Sequence, residues 1–325
     1  MVTLSLEDES LSINNVDDII RCVNLASLLE ISGWPKPGNI HRSKNFENTR
    51  FEHLLAGIAA ILPNFKEFCR KTYKYSMNDG EDYSFIKLGY FFREASKEMM
   101  KWQKGGNVLF GHILILAPLA TAAAITLKLG KKNYINFVFN VKKVIDDSTV
   151  KDTINLYEAI RISELGGLGK VEKYDVNDEN SIKQLQKDKI SLKKIFELSK
   201  DYDLISQEYS TGFNIILNEG LQYFFNIFNQ TGDINISTVN TFLKILADHP
   251  DTLIIRKSGK KAAEMVSKDA GEIIKKGGIK SEEGLNLTLE LDSLLHKEKG
   301  KMNPGTTADI VAGIIFCALI FGLRY

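Results

Sequence analysis

The sequence predicts an all-α protein, on three observations. Apolar residues recur at mixed three- and four-residue spacing almost everywhere, strand-like alternation is nearly absent, and Gly, Pro and Asn gather between the periodic stretches. The 325-residue chain is 44% hydrophobic and 26% charged with a net charge of +1, the balance of an ordinary globular protein. A chain of that length buries roughly 75% of its unfolded surface. We expect one helical domain over residues 1–325, with no charge excess aimed at nucleic acid or an acidic membrane.

Val16 to Ser32 carries Val16, Ile19, Ile20, Val23, Leu25, Leu28 and Leu29 and stops before Gly33-Trp34-Pro35, so Glu30 sits on its last turn. Amphipathic helices follow from about Phe51 to Tyr75 and from Tyr83 to Trp102, separated by Asn78-Asp79-Gly80. The loop Lys104-Gly105-Gly106-Asn107 feeds an apolar helix from about Leu109 to Leu129, closed by Gly130 and a basic pair. Asn133 to Asp146 and Val150 to Ser163 are shorter helices. Gly166-Gly167-Leu168-Gly169 and the charged stretch after it predict an irregular, mobile excursion over residues 164–190. Helices resume over Ser191–Asp201, Leu204–Gln230, Ser237–Ala247, Lys260–Lys276 and Ser281–Glu298, and Asn303-Pro304-Gly305 leads into the last one.

Two strongly apolar stretches, Ile113–Leu127 and Ile310–Leu323, fall short of the roughly 18 to 20 residues that cross a bilayer. We expect both to be core helices. Cys22, Cys69 and Cys317 are odd in number and widely spaced, which suggests neither a disulfide framework nor a zinc ribbon. With Glu7, Asp8 and Glu9 near an N-terminus that lacks early Lys or Arg, the expected location is the cytoplasm.

Four polar segments are able to carry chemistry. Lys36-Pro37-Gly38-Asn39, stiffened by two prolines and followed by His41 and Arg42, reads as a phosphate corner or as a solvated loop after a helix. Gly105-Gly106-Asn107 with Gly111 opens a helix whose free N–H groups attract anions, or forms a plain turn. Asp251-Thr252 with Arg256 and Lys257 mixes a carboxylate with cations, as a metal-bridged phosphate requires, although Asp251 also suits a helix cap. Asn303-Pro304-Gly305-Thr306-Thr307-Ala308-Asp309 opens a helix apolar on all sides. Its hydroxyls and carboxylate either cap that helix or carry Asp309 into a catalytic position.

Taken in order, Glu30, Lys36-Pro37-Gly38, Gly105-Gly106-Asn107 with Gly111, Asp251-Thr252 with Arg256, and Pro304-Gly305 with Ala308-Asp309 resemble the motif series of the triphosphoribosyl-dephospho-CoA synthases. The resemblance spans nearly the whole chain. It implies an all-helical transferase that displaces adenine from ATP and joins the triphosphoribosyl unit to dephospho-CoA, with Mg²⁺ accompanying the phosphates. It further implies Glu30 and Asp309 as catalytic carboxylates and Asp251 as a metal-linked one. Lys36, Gly38, Asn39, Arg42, Gly106, Asn107, Thr252, Arg256, Lys257, Gly305 and Thr306 become the nucleotide-binding set. The chain departs from the pattern at Val108 and Thr306, and at Asn45 and Asn48 where the family carries an Asp-rich stretch. Those departures leave open a different acceptor for the same donor, or a nucleotide-binding protein without turnover.

Overall fold

The structure, a computed structural model, describes residues 9–75, 81–167 and 169–325. The expected separator Asn78-Asp79-Gly80 and Leu168 of the glycine-rich excursion lie outside the described residues. Helix α1 (Val16–Ser32) starts where the Asn15 side chain accepts the Asp18 N–H. Helix α2 (Phe51–Lys74) begins with the Phe51 N–H donated to the Asn45 side chain at 2.7 Å. Asn45 is therefore a helix cap. A 3₁₀ turn at Ser84–Ile86 leads to α3 (Leu88–Lys101), then α4 (Phe110–Lys128), α5 (Tyr134–Asp146) and α6 (Val150–Ile162), the last two capped by Asn133 and Thr149.

The charged excursion contains regular structure after all. Helix α7 (Ser181–Lys187) buries Leu185 against Tyr157 and Ile190, a small apolar cluster beside the main core. Helices α8 (Leu192–Ser199) and α9 (Leu204–Thr211) follow, and here the expected long helix over Leu204–Gln230 is broken. Gly212 and Phe213 adopt positive φ, and the buried Glu208 carboxylate accepts the Ile215 and Ile216 N–H groups at 2.8 and 2.9 Å. Those two donors would otherwise be orphaned at the break. A π-helical segment, Ile215–Gly220, then runs into α10 (Leu221–Thr231). The chain closes with α11 (Ile234–Asp248), α12 (Thr252–Ser258), α13 (Lys260–Lys275), α14 (Glu282–His296) and α15 (Gly305–Ile320).

The two helices that are apolar on every side occupy the centre, as such helices must. α4 packs against α1, α2, α3, α5 and α15, while α15 also meets α10, α11 and the π segment. By length and composition α4 is able to cross a membrane, yet the whole of that apolar window is buried inside the protein. One core of Ile, Leu, Val, Phe and Ala runs through these contacts. Because α1, α4 and α15 meet there, the last turn of the first and the first turns of the other two come together at one end of the core.

Candidate active site

At that end lies a cleft of about 870 Å³. Its floor holds Glu30 from α1, His112 from α4 and Asp309 from α15, and its walls include Asn39, Asn107, Asn303 and Thr306. Position 111 must be glycine for this arrangement, since a Cβ there would overlap the Asp309 carboxylate. Asp309 Oδ1 lies 2.7 Å from His112 Nδ1, and His112 Nε2 lies 3.4 Å from Glu30 Oε2, off the line of a hydrogen bond. Glu30 in turn is paired with Lys36, whose Nζ also donates to the Glu30 carbonyl at 2.9 Å. Four charged groups thus form one chain running inward from the cleft.

Burial penalises every member of that chain, and neighbours decide each outcome. For His112 burial opposes the charge, but Asp309 and Glu30 outweigh it and push the imidazole up to about 9. Glu30 feels the same burial, and Lys36 and His112 still hold its carboxyl below the usual range. Burial wins at Asp309, which is raised despite His112, and at Lys36, which is lowered despite Glu30. The side chain of Asp309 is 19% exposed, against 2% for Glu30 and 3% for His112. Asp309 is the carboxylate of this chain that a ligand can touch.

Several expected site residues are placed otherwise. Asp251 does not offer itself to a metal. Fully buried, it accepts the Leu253 and Ile254 N–H groups through one oxygen and the Thr307 N–H and hydroxyl through the other, at 2.7 to 3.1 Å. One carboxylate thereby caps both α12 and α15, and its cap reading replaces its metal reading. Thr252 is buried beside it, accepting the Leu204 N–H and donating to Thr306. Lys36 lies beneath Glu30 with no exposure, so it supports a carboxylate and not a phosphate. Glu30, on the cleft floor but only 2% exposed, is the counter-ion of Lys36. Arg42 is exposed and reaches Asn235 at 3.5 Å, outside the cleft lining.

Gly38, at φ +69, is packed against Leu295 and donates its N–H to Asp292, which also holds Lys44, His41 and His296. The Lys36–Lys44 loop is thereby fastened to α14, and His41 belongs to that fastening. Asn39 does face the cleft, bonding Asn303 at 2.9 Å and so joining the first and last motifs. Asn107 also lines it while capping α4 through the Phe110 N–H, and Gly106 gives its carbonyl to Gln103. Gly305, Arg256 and Lys257 lie on the wall, Arg256 bonded to Asp203 and Lys257 to the Gly300 carbonyl.

His112, Lys173 and Lys299 line the cleft from outside the motifs that the sequence singles out, and Asn303, the first residue of the last motif, joins them there. For His112 the signal was available: a lone imidazole opening a helix with no other titratable residue before Lys128. Lys173 comes from the segment after α6, and Gly167 of that segment lies close to Arg256, so the excursion forms the outer wall.

A cleft with a carboxylate–imidazole pair on its floor, amides on its walls and cations at its rim is the equipment of an all-helical enzyme acting on a charged small molecule. The chain belongs to the CitG family, ATP:dephospho-CoA triphosphoribosyl transferase, whose pattern matches residues 16–324. It is similar to Protein CitXG of Leuconostoc mesenteroides subsp. cremoris, at 25% identity over 94% of this chain and 59% of that one. It also resembles the 2-(5''-triphosphoribosyl)-3'-dephosphocoenzyme-A synthase of Klebsiella pneumoniae, at 26% identity over 32% of this chain and 34% of that one. The chain thus spans less than two thirds of either relative. A crystal structure assigned to triphosphoribosyl-dephospho-CoA synthase from Archaeoglobus fulgidus superposes with a TM-score of 0.62 at 26% identity, covering 83% of this chain and all of that one.

Proposed function

We propose that this protein transfers the triphosphoribosyl unit of ATP to the hydroxyl of dephospho-CoA and releases adenine. The observation that carries the reading is Asp309, a half-buried carboxylate held by His112 on the floor of a cleft large enough for nucleotides. In such a transfer the acceptor oxygen bonds to C1 of the ribose, the C–N bond to adenine breaks, and its electron pair leaves with the base. Asp309 takes the acceptor's proton and its negative charge favours the oxocarbenium character that develops at C1. The departing adenine is protonated by water, and the hydroxide left behind takes the proton from Asp309 as the products leave, which restores the carboxylate. Asn39, Asn107 and Asn303 supply amide donors and acceptors for sugar and base, and Arg256, Lys257, Lys299 and Lys173 offer positive charge to the triphosphate.

Among the described residues no group of three or more His, Cys, Asp or Glu is gathered as a metal cage. Mg²⁺ is bound in many nucleotide enzymes by substrate phosphates with one or two carboxylates and several waters, and that is the mode this donor set fits. We place the reaction in the cytoplasm, where three buried free cysteines are at home. The test is to incubate the protein with ATP, Mg²⁺ and dephospho-CoA and to follow adenine by chromatography and the product by mass. Adenine without a dephospho-CoA adduct would point to another acceptor, a reading supported by Val108, a cleft-lining residue at which the chain departs from the family pattern. A folded protein that releases no adenine with any acceptor would sink both.

A further inference from the structure

We infer that His112 is an imidazolium at neutral pH that positions Asp309, and not a carrier that picks up and delivers protons. The geometry requires it. A neutral imidazole bears one N–H and one lone pair. Here both nitrogens face carboxylates, Asp309 Oδ1 at 2.7 Å and Glu30 Oε2 at 3.4 Å. A bare Nδ1 would turn its lone pair on Asp309 Oδ1, and a bare Nε2 would leave the Glu30 carboxylate 3.4 Å away with no positive charge facing it, so a proton on each nitrogen is the state that both carboxylates favour. Nε2 is sealed from solvent and has no hydrogen-bond partner, which removes the exit a proton carrier needs. The charged groups facing the ring are Glu30 from α1 and Asp309 from α15, with Lys36 behind Glu30. Two cations therefore balance two carboxylates, and no charge is left uncompensated in the buried part of the chain.

The functional consequence lies in Asp309. Burial alone would protonate it, and a protonated acid accepts nothing from an incoming hydroxyl. A fixed positive charge at its inner oxygen works against that protonation, while its outer oxygen remains free for the substrate. Throughout the reaction the ring keeps both protons and the acceptor's proton stops on Asp309. This last step rests on the transfer reading; the charge state of the ring does not.

The experiment begins with the full chain carrying ¹⁵N-histidine, its ring nitrogens followed by NMR between pH 6 and 10. His112 is identified as the signal lost in His112→Gln, or, if that variant does not fold, as the signal moved by Asp309→Asn. We expect both ring nitrogens protonated at pH 7.5, with titration only near 9. A ring with one bare nitrogen at that pH overturns the inference whatever the enzyme's activity. In kinetics, His112→Gln is expected to move the acid limb of kcat/KM upward by about 1–3 pH units. Activity should return at high pH, and KM for ATP should stay within about threefold. Loss of activity that is the same at every pH contradicts the positioning role, whereas absence of turnover in the parent protein tests only the transfer reading.

Discussion

Position 111 lacks a side chain, and the carboxylate of Asp309 occupies the space a Cβ would need. Gly111→Ala should therefore push Asp309 off His112 and lower the rate of adenine release about as far as Asp309→Asn does. For Asp309→Asn we expect a fall of about 10²–10⁴ in kcat, the usual worth of a positioned base, with a circular dichroism spectrum like the parent's. His112 also links pH to stability. Its folded pKa, about 9, is above the ordinary 6.5, so its contribution is complete below pH 6.5 and is lost as pH rises through 9. Urea melts at pH 6, 7.5 and 9.5 should show that decline in the parent and a flatter profile in His112→Gln. At this scale the sequence was half legible. Asp309 and Asn39 stood out as polar groups in unusual company, whereas Lys36 and Arg42 have the right charge and the wrong address. Whether a lysine meets a phosphate or a buried glutamate depends on which helix lies over it, and no local pattern records that.

Helix boundaries were the most readable feature, because periodicity and caps act within a few residues. α1 begins and ends where its apolar spacing and the Gly33-Trp34-Pro35 stop say it should. The failures have non-local or weak causes. The interruption after α9 depends on Glu208 reaching forward to Ile215 and Ile216 across a turn, and α7 is held by only one fully buried leucine. Replacing Glu208 by Gln would set amide hydrogens against one of those backbone donors and should cost about 1–3 kcal/mol, read as a lower urea midpoint at unchanged slope. Asp251 serves two elements at once. Asp251→Ala removes a cap from α12 and orphans the Thr307 donors of α15, a loss of about 2–4 kcal/mol from the two effects together.

Over the whole molecule, the cleft is assembled from segments as far apart as Glu30 and Asp309, so a nucleotide bound there ties distant parts of the chain together. At a hundredfold excess over Kd, ATP with Mg²⁺ should add about 2.7 kcal/mol of stability, seen as a higher melting temperature. The double variant Arg256→Ala, Lys257→Ala should lose most of that rise while melting like the parent without ligand. The convergence of the motifs was legible from their order along the chain and the resemblance it carries. Their division into cleft-facing and supporting groups was not, since Asp251 reads equally as a ligand and as a cap until its four donors are seen.

That double cap joins two groups that the sequence keeps more than 50 residues apart, the cations Arg256 and Lys257 and the carboxylate Asp309. Arg256 and Lys257 ride on α12, Asp309 rides on α15, and the first turns of both helices are fastened to one carboxylate. A displacement of the short helix is therefore felt at the first turn of the helix that carries Asp309. On the proposed reading, phosphates seated against Arg256 and Lys257 would hold α12 and, through Asp251, steady the first turn of α15, where Asp309 already rests against His112.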